Sequence, residues 1–275
     1  ELCNNTTRQA GDLSMNCRCC GEDKSIEYLD LGMQPLANSY HKGEELPRFP
    51  LKVMLCTNCW LSYLSVVVDP DVMFRNYFYV SGTTKTLKDH WKELAKDAVA
   101  RVGVGRVLDI ASNDGTGLEQ FRDLGCEVLG VDPAENLREL SQAKGIDTLV
   151  DYWRPGLVAD ESFDVITAAN VFAHVNDVKT FLETAKKAIK QNGVIILEFP
   201  YGRETIEQAQ FDQIYHEHLS YYLVHPLCRL FERVGVKVDD IILSRIHGGS
   251  IRFILKKNLA DHCEKLYDMV HEEEL

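Results

Sequence analysis

One stretch of the chain, residues 107–117 with the sequence VLDIASNDGTG, limits the possible folds more than any other. Its apolar start is typical of a buried strand, Asp109 places a carboxylate in that strand, and a turn of small residues follows. Small residues let a turn approach a ligand closely, and open α/β folds bind ligands at the carboxyl edge of their parallel strands. The stretch therefore predicts the first strand–turn–helix unit of such a sheet, with a binding site at its edge.

Strand and helix patterns alternate along the rest of the chain. Helices are predicted over residues 83–101 (capped by Thr84 or Thr86), 117–124, 135–144, 177–191 and 227–234, and strands over residues 106–110, 127–131, 147–150, 164–169, 193–199, 238–243 and 251–255. This rhythm indicates a doubly wound parallel sheet with helices on both faces. The last two strands are about seven residues apart, too close for a crossover helix, so they are predicted to pair antiparallel. The predicted fold is α/β and Rossmann-like: a mostly parallel seven-stranded sheet ending in an antiparallel hairpin, as in class I methyltransferases.

A second carboxylate accompanies the turn. Asp132 lies 23 residues after Asp109, at the end of the second predicted strand, where a carboxylate can accept both hydroxyls of a ribose. The turn is not a GxGxxG motif, so no pyrophosphate cradle is predicted. Two acids without that cradle suit S-adenosylmethionine, and Asp109 and the turn would bind the methionine end of this cofactor. In the alternative interpretation, both acids only cap turns. The predicted cofactor-binding residues are Asp109, Ala111 (where this fold usually carries glycine), Ser112, Asn113, Asp132 and Asn170.

Cysteines form two closely spaced pairs near the N-terminus. Cys17 with Cys20 and Cys56 with Cys59 give two C-x-x-C motifs, which predict four thiolates around a structural zinc ion in a small β-module. The metal would supply folding free energy to a module too small to be stable through its core alone. Cys19 is a less well-spaced alternative ligand, and unmetallated thiols are the other alternative. Nine cysteines without a secretion signal favour a reducing compartment, so a cytoplasmic protein is predicted.

Composition limits the partners and the layout of the chain. The net charge is −12, without a block of five basic residues, which disfavours nucleic acid. No apolar run approaches the roughly 20 residues that span a bilayer, which disfavours membrane insertion. We expect a monomer or weak homo-oligomer that acts on a small molecule. The predicted layout is a zinc-binding module over residues 15–75 (with Met15 as a natural start), a methyltransferase domain over residues 76–258, and an acidic tail over residues 259–275 that would begin a further domain.

Residues 212–222 (DQIYHEHLSYY), here called the histidine segment, follow the fifth parallel strand. A histidine titrates near neutrality and suits general-base catalysis, and a neighbouring carboxylate can orient it. The segment is alternatively a metal site formed by His216 and His218, or a polar structural loop. Two further clusters, residues 170–174 and residues 77–81, are predicted to lie at the same edge of the sheet, the second as a lid; the alternative is that each cluster only packs in the core. Residues 247–250 form an anion-binding loop or an ordinary hairpin turn.

Taken together, these motifs make the chain similar to one family, the bacterial nucleotide-sugar C-methyltransferases, which methylate a carbon of 4-keto-deoxysugars. The resemblance runs from Cys17 to Lys256 and rests on the two cysteine pairs and on the motifs at residues 34–38, 79–81, 112–115, 170–174, 215–218 and 247–250. It implies His218 as the catalytic base, with Tyr79, His174, Tyr215 and Glu217 lining the acceptor site. Family members usually continue for over a hundred further residues, so a fragment or a different acceptor is expected.

The resemblance implies a specific reaction. His218 would remove the acidic proton from the carbon beside a ketone, and the resulting enolate would accept the methyl group. Three alternatives remain open at this point: O- or N-methylation of another small molecule, hydrolysis by a zinc ion held by His216 and His218, and a non-catalytic protein that binds S-adenosylmethionine.

Overall fold

The computed structural model describes residues 16–38 and 45–274, so Cys3 and the predicted start at Met15 lie outside the described residues. The N-terminal region forms a four-stranded antiparallel sheet in the order β1-β2-β3-β9, which consists of β1 (Ser25–Pro35), β2 (Arg48–Cys56), β3 (Ser62–Leu64) and β9 (Ser220–Tyr221). The last of these strands comes from the histidine segment. The N-terminal sheet is therefore completed by residues more than a hundred positions further along the chain.

A seven-stranded sheet forms the larger part of the structure. Its strands are β4 (Arg106–Ile110), β5 (Glu127–Val131), β6 (Thr148–Leu149), β7 (Phe163–Ala169), β8 (Ile189–Pro200), β10 (Lys237–Ser244) and β11 (Ser250–Lys256). The order is β10-β11-β8-β7-β4-β5-β6; the pairs among β4 to β8 are parallel, and β11 is antiparallel to both neighbours. The predicted fold class is confirmed, including the antiparallel hairpin at the end.

Helices cover both faces of this sheet. They are α1 (Pro70–Phe74), α2 (Lys85–Val102), α3 (Thr116–Asp123), α4 (Arg138–Ala143), α5 (Val178–Ala188), α6 (Gly202–Glu207), α7 (Val224–Val234) and α8 (Glu264–Glu274). Of the two threonines proposed as a cap, Thr84 begins α2, because its hydroxyl accepts a hydrogen bond from the Leu87 amide. Gly117 allows α3 to pack closely on α2, since a Cβ there would lie 2.8 Å from the Trp91 ring.

Two predicted helices are shortened or divided in the structure, and a third, predicted over residues 227–234, begins three residues earlier at Val224. The helix expected to reach residue 191 ends at Ala188, because Ile189 already pairs with Phe163 of β7 and begins β8. The helix expected over residues 135–144 is divided into a 3-10 turn over Glu135–Leu137 and the short α4. In both places tertiary pairing and packing outweigh the local helical pattern.

The core of the large sheet continues into the N-terminal module. Buried residues of β7, β8, α5 and α7 belong to one cluster that also contains Cys17, Cys59, Leu61 and Tyr63. A second cluster on the opposite face packs α2 and α3 against the sheet. Helix α8, from the predicted tail, buries Leu266 in the first cluster. Within the described residues, no helix is both long enough and apolar enough to cross a bilayer.

Candidate active site and metal centre

A cavity of about 410 Å³ opens at the carboxyl edge of the parallel strands. Most of the predicted site residues meet in its wall: Tyr79, Asp109, Ala111, Ser112, Asn113, Asp132, Asn170, His174, Tyr215 and His218. Of the predicted acceptor-site residues, Glu217 alone does not line the cavity. The predicted cofactor side and the predicted acceptor side therefore face one cavity.

The turn after β4, residues 111–115, has an unusual backbone. Ala111 and Asn113 both have positive φ, at 60° and 53°. This left-handed conformation explains why glycine is usual at the first position, since a Cβ there costs roughly 1–2 kcal/mol. The Ala111 amide donates to the Val131 carbonyl at 2.7 Å, which fixes the turn to the end of β5.

Asp132 is held rigidly beside this turn. One carboxylate oxygen accepts from the Asn113 amide and the other from the Ala134 amide, each at 2.8 Å. Burial raises the pKa of Asp132, while the two amide bonds act in the opposite direction. A carboxylate offers about four acceptor positions, so two remain for the hydroxyls of a ribose.

Asp109 is the most deeply buried acid of the cavity. It accepts a 2.6 Å hydrogen bond from the Thr167 hydroxyl of the adjacent strand. Burial is the main cause that raises the pKa of Asp109 to about 7; the Thr167 bond lowers it and the nearby Asp132 raises it. A positively charged ammonium group beside Asp109 would stabilise its ionised form.

The segment over residues 79–82 lies directly against the turn. The Asn113 side chain accepts from the Ser81 amide at 3.0 Å and donates to the Tyr79 carbonyl at 2.9 Å. The Gly82 amide donates to Asp114, whose carboxylate also forms a 2.6 Å ion pair with Lys144. The predicted lid segment is thus held in place by the side chains of the turn beneath it.

These residues fit S-adenosylmethionine. The pocket contains two buried acids, whose oxygens can accept hydrogen bonds from hydroxyl groups and from an ammonium group. The Ser112 hydroxyl is buried in the cavity wall and has no hydrogen-bond partner among the described residues, so it can still bind a ligand.

His218 is held by its own segment rather than by a carboxylate. Its Nδ1 lies 2.9 Å from the Gln213 carbonyl oxygen, which can only accept, so Nδ1 carries the proton. Its Nε2 consequently accepts from the Tyr215 hydroxyl at 3.0 Å. Burial lowers the pKa of His218 to about 4, partly offset by the Gln213 bond. The ring is therefore neutral near pH 7, with its lone pair on Nε2.

Glu217 does not orient the histidine, contrary to the expectation from the sequence. Its two oxygens accept from the Asn38 amide group at 2.6 Å and from the Tyr77 hydroxyl at 3.1 Å. Burial raises the pKa of Glu217, and both hydrogen bonds oppose that rise. Asn38 and Tyr77 are functional candidates that the sequence analysis did not single out. Both belong to recognised motifs, but no spacing rule indicates that they share one carboxylate.

His174 completes the acceptor side of the cavity. Its ring centroid lies 5.1 Å from that of His218 and 5.6 Å from that of Phe74. Burial lowers the pKa of His174 to about 3, with a smaller effect from His218. Two neutral imidazoles thus stand side by side. His247, from the predicted anion-binding or hairpin loop, also lines the cavity.

His216 faces different neighbours. Its Nε2 lies 3.3 Å from the carbonyl oxygen of Phe49 in β2, and its ring contacts the Phe49 ring edge-on. Both nitrogens of His218 are engaged within its own segment. The alternative in which His216 and His218 hold a metal together, and with it the zinc hydrolase, is not supported by this geometry.

The four predicted zinc ligands come together in the N-terminal module. The sulfur atoms of Cys17, Cys20, Cys56 and Cys59 all lie within 4.8 Å of one another, with Cys17 and Cys59 3.5 Å apart. A tetrahedron with zinc–sulfur distances of about 2.3 Å places sulfurs about 3.8 Å apart, so the cluster fits zinc closely. Cys19, the alternative ligand, is not part of the cluster. Four sulfurs leave no coordination position for a substrate, which makes the site structural.

This sheet order is that of the class I methyltransferase fold, and the chain combines it with a pocket that contains two buried acids and with a closed four-cysteine site. Residues 17–74 match a family described as a zinc binding domain, and residues 84–241 match a family described as a methyltransferase domain. The chain belongs to this methyltransferase family.

Individual relatives agree with this assignment. C-methyltransferase NovU of Streptomyces niveus is 34% identical over 264 residues, which cover 90% of this chain and 61% of that protein. Demethylmenaquinone methyltransferase of Renibacterium salmoninarum is 30% identical over 114 residues, which cover 40% of this chain and 48% of that protein. The chain thus spans less than two thirds of the length of either relative.

Solved structures show the same fold. A protein from Pyrococcus horikoshii OT3 superposes with a TM-score of 0.54 at 14% identity, covering 70% of this chain and 97% of that one. A SAM-dependent methyltransferase from Leishmania major gives a TM-score of 0.53 at 14% identity, covering 64% of this chain and 75% of that one. At this identity the likeness concerns the fold alone.

Proposed function

We propose that the chain methylates a carbon adjacent to a ketone in a nucleotide-linked keto-deoxysugar, with His218 as the general base. S-adenosylmethionine supplies the electrophilic methyl group. The observation that carries the proposal is that His218 lines the same cavity as Asp109 and Asp132, with a neutral ring whose proton is on Nδ1 and whose basic nitrogen is Nε2. Similarity to a protein named a C-methyltransferase supports carbon as the acceptor atom, and the resemblance to the nucleotide-sugar family supports the acceptor.

Proton removal needs a base that is unprotonated before the acceptor binds. The hydrogen bond from Nδ1 to the Gln213 carbonyl leaves the lone pair of His218 on Nε2 and stabilises the imidazolium once it forms. A developing enolate next to the ring would raise the pKa of His218 and favour proton transfer as the reaction proceeds. The acceptor C–H bond therefore has to lie beside Nε2.

The enolate oxygen needs hydrogen-bond donors. The Tyr215 hydroxyl, which donates to His218 Nε2, has to turn away before that nitrogen can take up the acceptor's proton, and it is then free to donate to the enolate oxygen. His174 lies beside His218 with its ring in the cavity wall and can act as a second donor. Glu217 holds the Tyr77 hydroxyl at the cavity and acts on the acceptor through it. Preorganised donors of this kind typically contribute about 10²–10³-fold in rate each.

We further propose residues 15–75 as the zinc module, residues 76–258 as the catalytic domain, and a cytoplasmic monomer or weak homo-oligomer. Asp109 and the turn would bind the amino-acid end of the cofactor, and Asp132 its ribose. The extents of the two family matches support these limits, and the cysteine content supports the compartment.

The test replaces His218 by asparagine and measures methyl transfer to a panel of 4-keto-deoxysugar nucleotides, with His216→Asn as the matched control. His216 is buried in the same segment but contacts Phe49 instead of the cavity. His218→Asn should slow transfer about 10²–10⁴-fold and leave the Kd for S-adenosylhomocysteine within about threefold. Transfer within a few-fold of wild type would exclude His218 as the base, and a product methylated at oxygen or nitrogen would exclude the carbon acceptor.

A further inference from the structure

One arginine joins the metal centre to the catalytic segment. Arg18 lies in the loop between the zinc ligands Cys17 and Cys20, and only 7% of its surface is exposed. Its Nη1 donates to the carbonyl oxygens of Leu219 at 3.2 Å and of Leu64 at 3.3 Å. Its Nε donates to the side-chain oxygen of Asn176 at 3.1 Å, and its guanidinium carbon lies 5.1 Å from the centre of the Tyr63 ring.

The partners of Arg18 lead directly to the two cavity histidines. Leu219 follows His218 in the chain, and its amide donates to the Ala173 carbonyl at 2.8 Å, one residue before His174. Asn176 lies two residues after His174 and lines the cavity. The guanidinium therefore contacts both chain segments that carry the imidazoles.

The chemistry of this position requires arginine and a rigid loop. A guanidinium donates in a fixed planar fork, so it can connect three acceptors in one geometry, whereas a lysine ammonium cannot. Burying a cation is unfavourable unless its hydrogen bonds are satisfied, so a displacement of any of these acceptors destabilises the arrangement. Four sulfur ligands around one metal ion restrict the loop on both sides of Arg18.

We propose that Arg18 is a positioning residue that transmits the geometry of the metal-held loop to His218 and His174. The zinc centre thereby has a role in catalysis as well as in folding, although it lies outside the cavity. This proposal rests on the proposed function in taking His218 as the base.

The test compares Arg18→Met and Arg18→Lys with Arg48→Met. Arg48 is the matched control because it also donates to a backbone carbonyl of the N-terminal sheet, that of Met33, but it is exposed. Zinc content and S-adenosylhomocysteine affinity are measured first, then the titration of His218 by NMR, and then kcat and KM. In zinc-loaded Arg18→Met, kcat should fall about 10–100-fold with KM within about threefold, as for a misplaced catalytic group.

The NMR titration separates positioning from stability. His218 has a pKa of about 4 because it is buried, so loosening its segment should move its pKa upward by about one unit or more. Arg18→Lys should show a smaller change in the same direction, and Arg48→Met none. If Arg18→Met binds less than one zinc per chain, the His218 titration and the kcat of Arg18→Lys decide whether Arg18 positions the two histidines.

Two results would overturn the proposal: an unchanged His218 titration in the zinc-loaded variant, or an unchanged kcat. Because the titration does not depend on turnover, it still tests Arg18 if the wild-type chain methylates no keto-sugar. In that case the proposed function fails while the positioning role is judged by NMR alone.

Discussion

Binding of the cofactor should release a proton from Asp109. Burial raises the pKa of this carboxyl to about 7, and a hydrogen bond from the Thr167 hydroxyl opposes that rise. S-adenosylhomocysteine carries an α-ammonium group that is fully charged at pH 6. If this group lies beside Asp109, it stabilises the carboxylate and displaces the proton.

The size of the effect follows from the pKa. At pH 6 a group with a pKa of about 7 is protonated in roughly nine molecules out of ten, so about 0.9 proton is released per ligand bound. A carboxyl with an ordinary pKa of about 3.9 would release less than about 0.01 proton. The two cases therefore differ about a hundredfold.

Isothermal titration calorimetry of S-adenosylhomocysteine at pH 6, in buffers of different ionisation enthalpy, measures this release directly. Asp109→Asn should abolish it. Asp132→Asn is the matched control, because it should weaken binding through the ribose and retain most of the release from Asp109, whose pKa is raised mainly by burial and only secondarily by Asp132. Since even a pKa of about 6 would release about half a proton, a wild-type value below about 0.2 would refute the assigned role of Asp109.

Two further predictions concern the base and the metal. Neutral His218 is the active form, so at saturating cofactor kcat/KM should keep roughly nine tenths of its value at pH 5 and fall to half near pH 4. A decline centred near pH 6.5 would contradict the burial of the ring. Removal of zinc by a chelator should raise the hydrogen-exchange rate of backbone amides about 100-fold or more in β2, β3 and β9 but not in β4 and β5, because the folding of the N-terminal module depends on its metal. Unchanged protection of β2 and β3 would contradict this.

The parallel sheet could be predicted well because its strands are continuous apolar runs separated by clear turns. Strands β4 and β5 have the predicted limits, and the acids Asp109 and Asp132 meet at the predicted edge. The start of β8 could not be predicted, since residues 189–191 continue a helical pattern locally and are drawn into the sheet by pairing with β7.

For the acceptor side of the cavity, the sequence predicted which side chains are present but not which of them form hydrogen bonds with one another. The sequence indicates that histidines, tyrosines and a carboxylate gather there, yet adjacency along the chain suggested Glu217 as the partner of His218. In the structure a backbone carbonyl takes that role, and Glu217 binds Asn38 and Tyr77 from distant segments. Backbone acceptors and long-range side-chain pairs have no signature in a single sequence.

The pairing of β9 with β3 sets a constraint on the order of folding during synthesis. The zinc-binding cysteines and β3 leave the ribosome first, and Ser220 and Tyr221 follow about 150 residues later. At about 5–20 residues per second, the nascent module waits roughly 8–30 s with one strand edge unpaired. Metal capture can precede that wait, whereas completion of the module's sheet cannot, so the module can bind its metal about 150 residues of synthesis before its sheet can be completed.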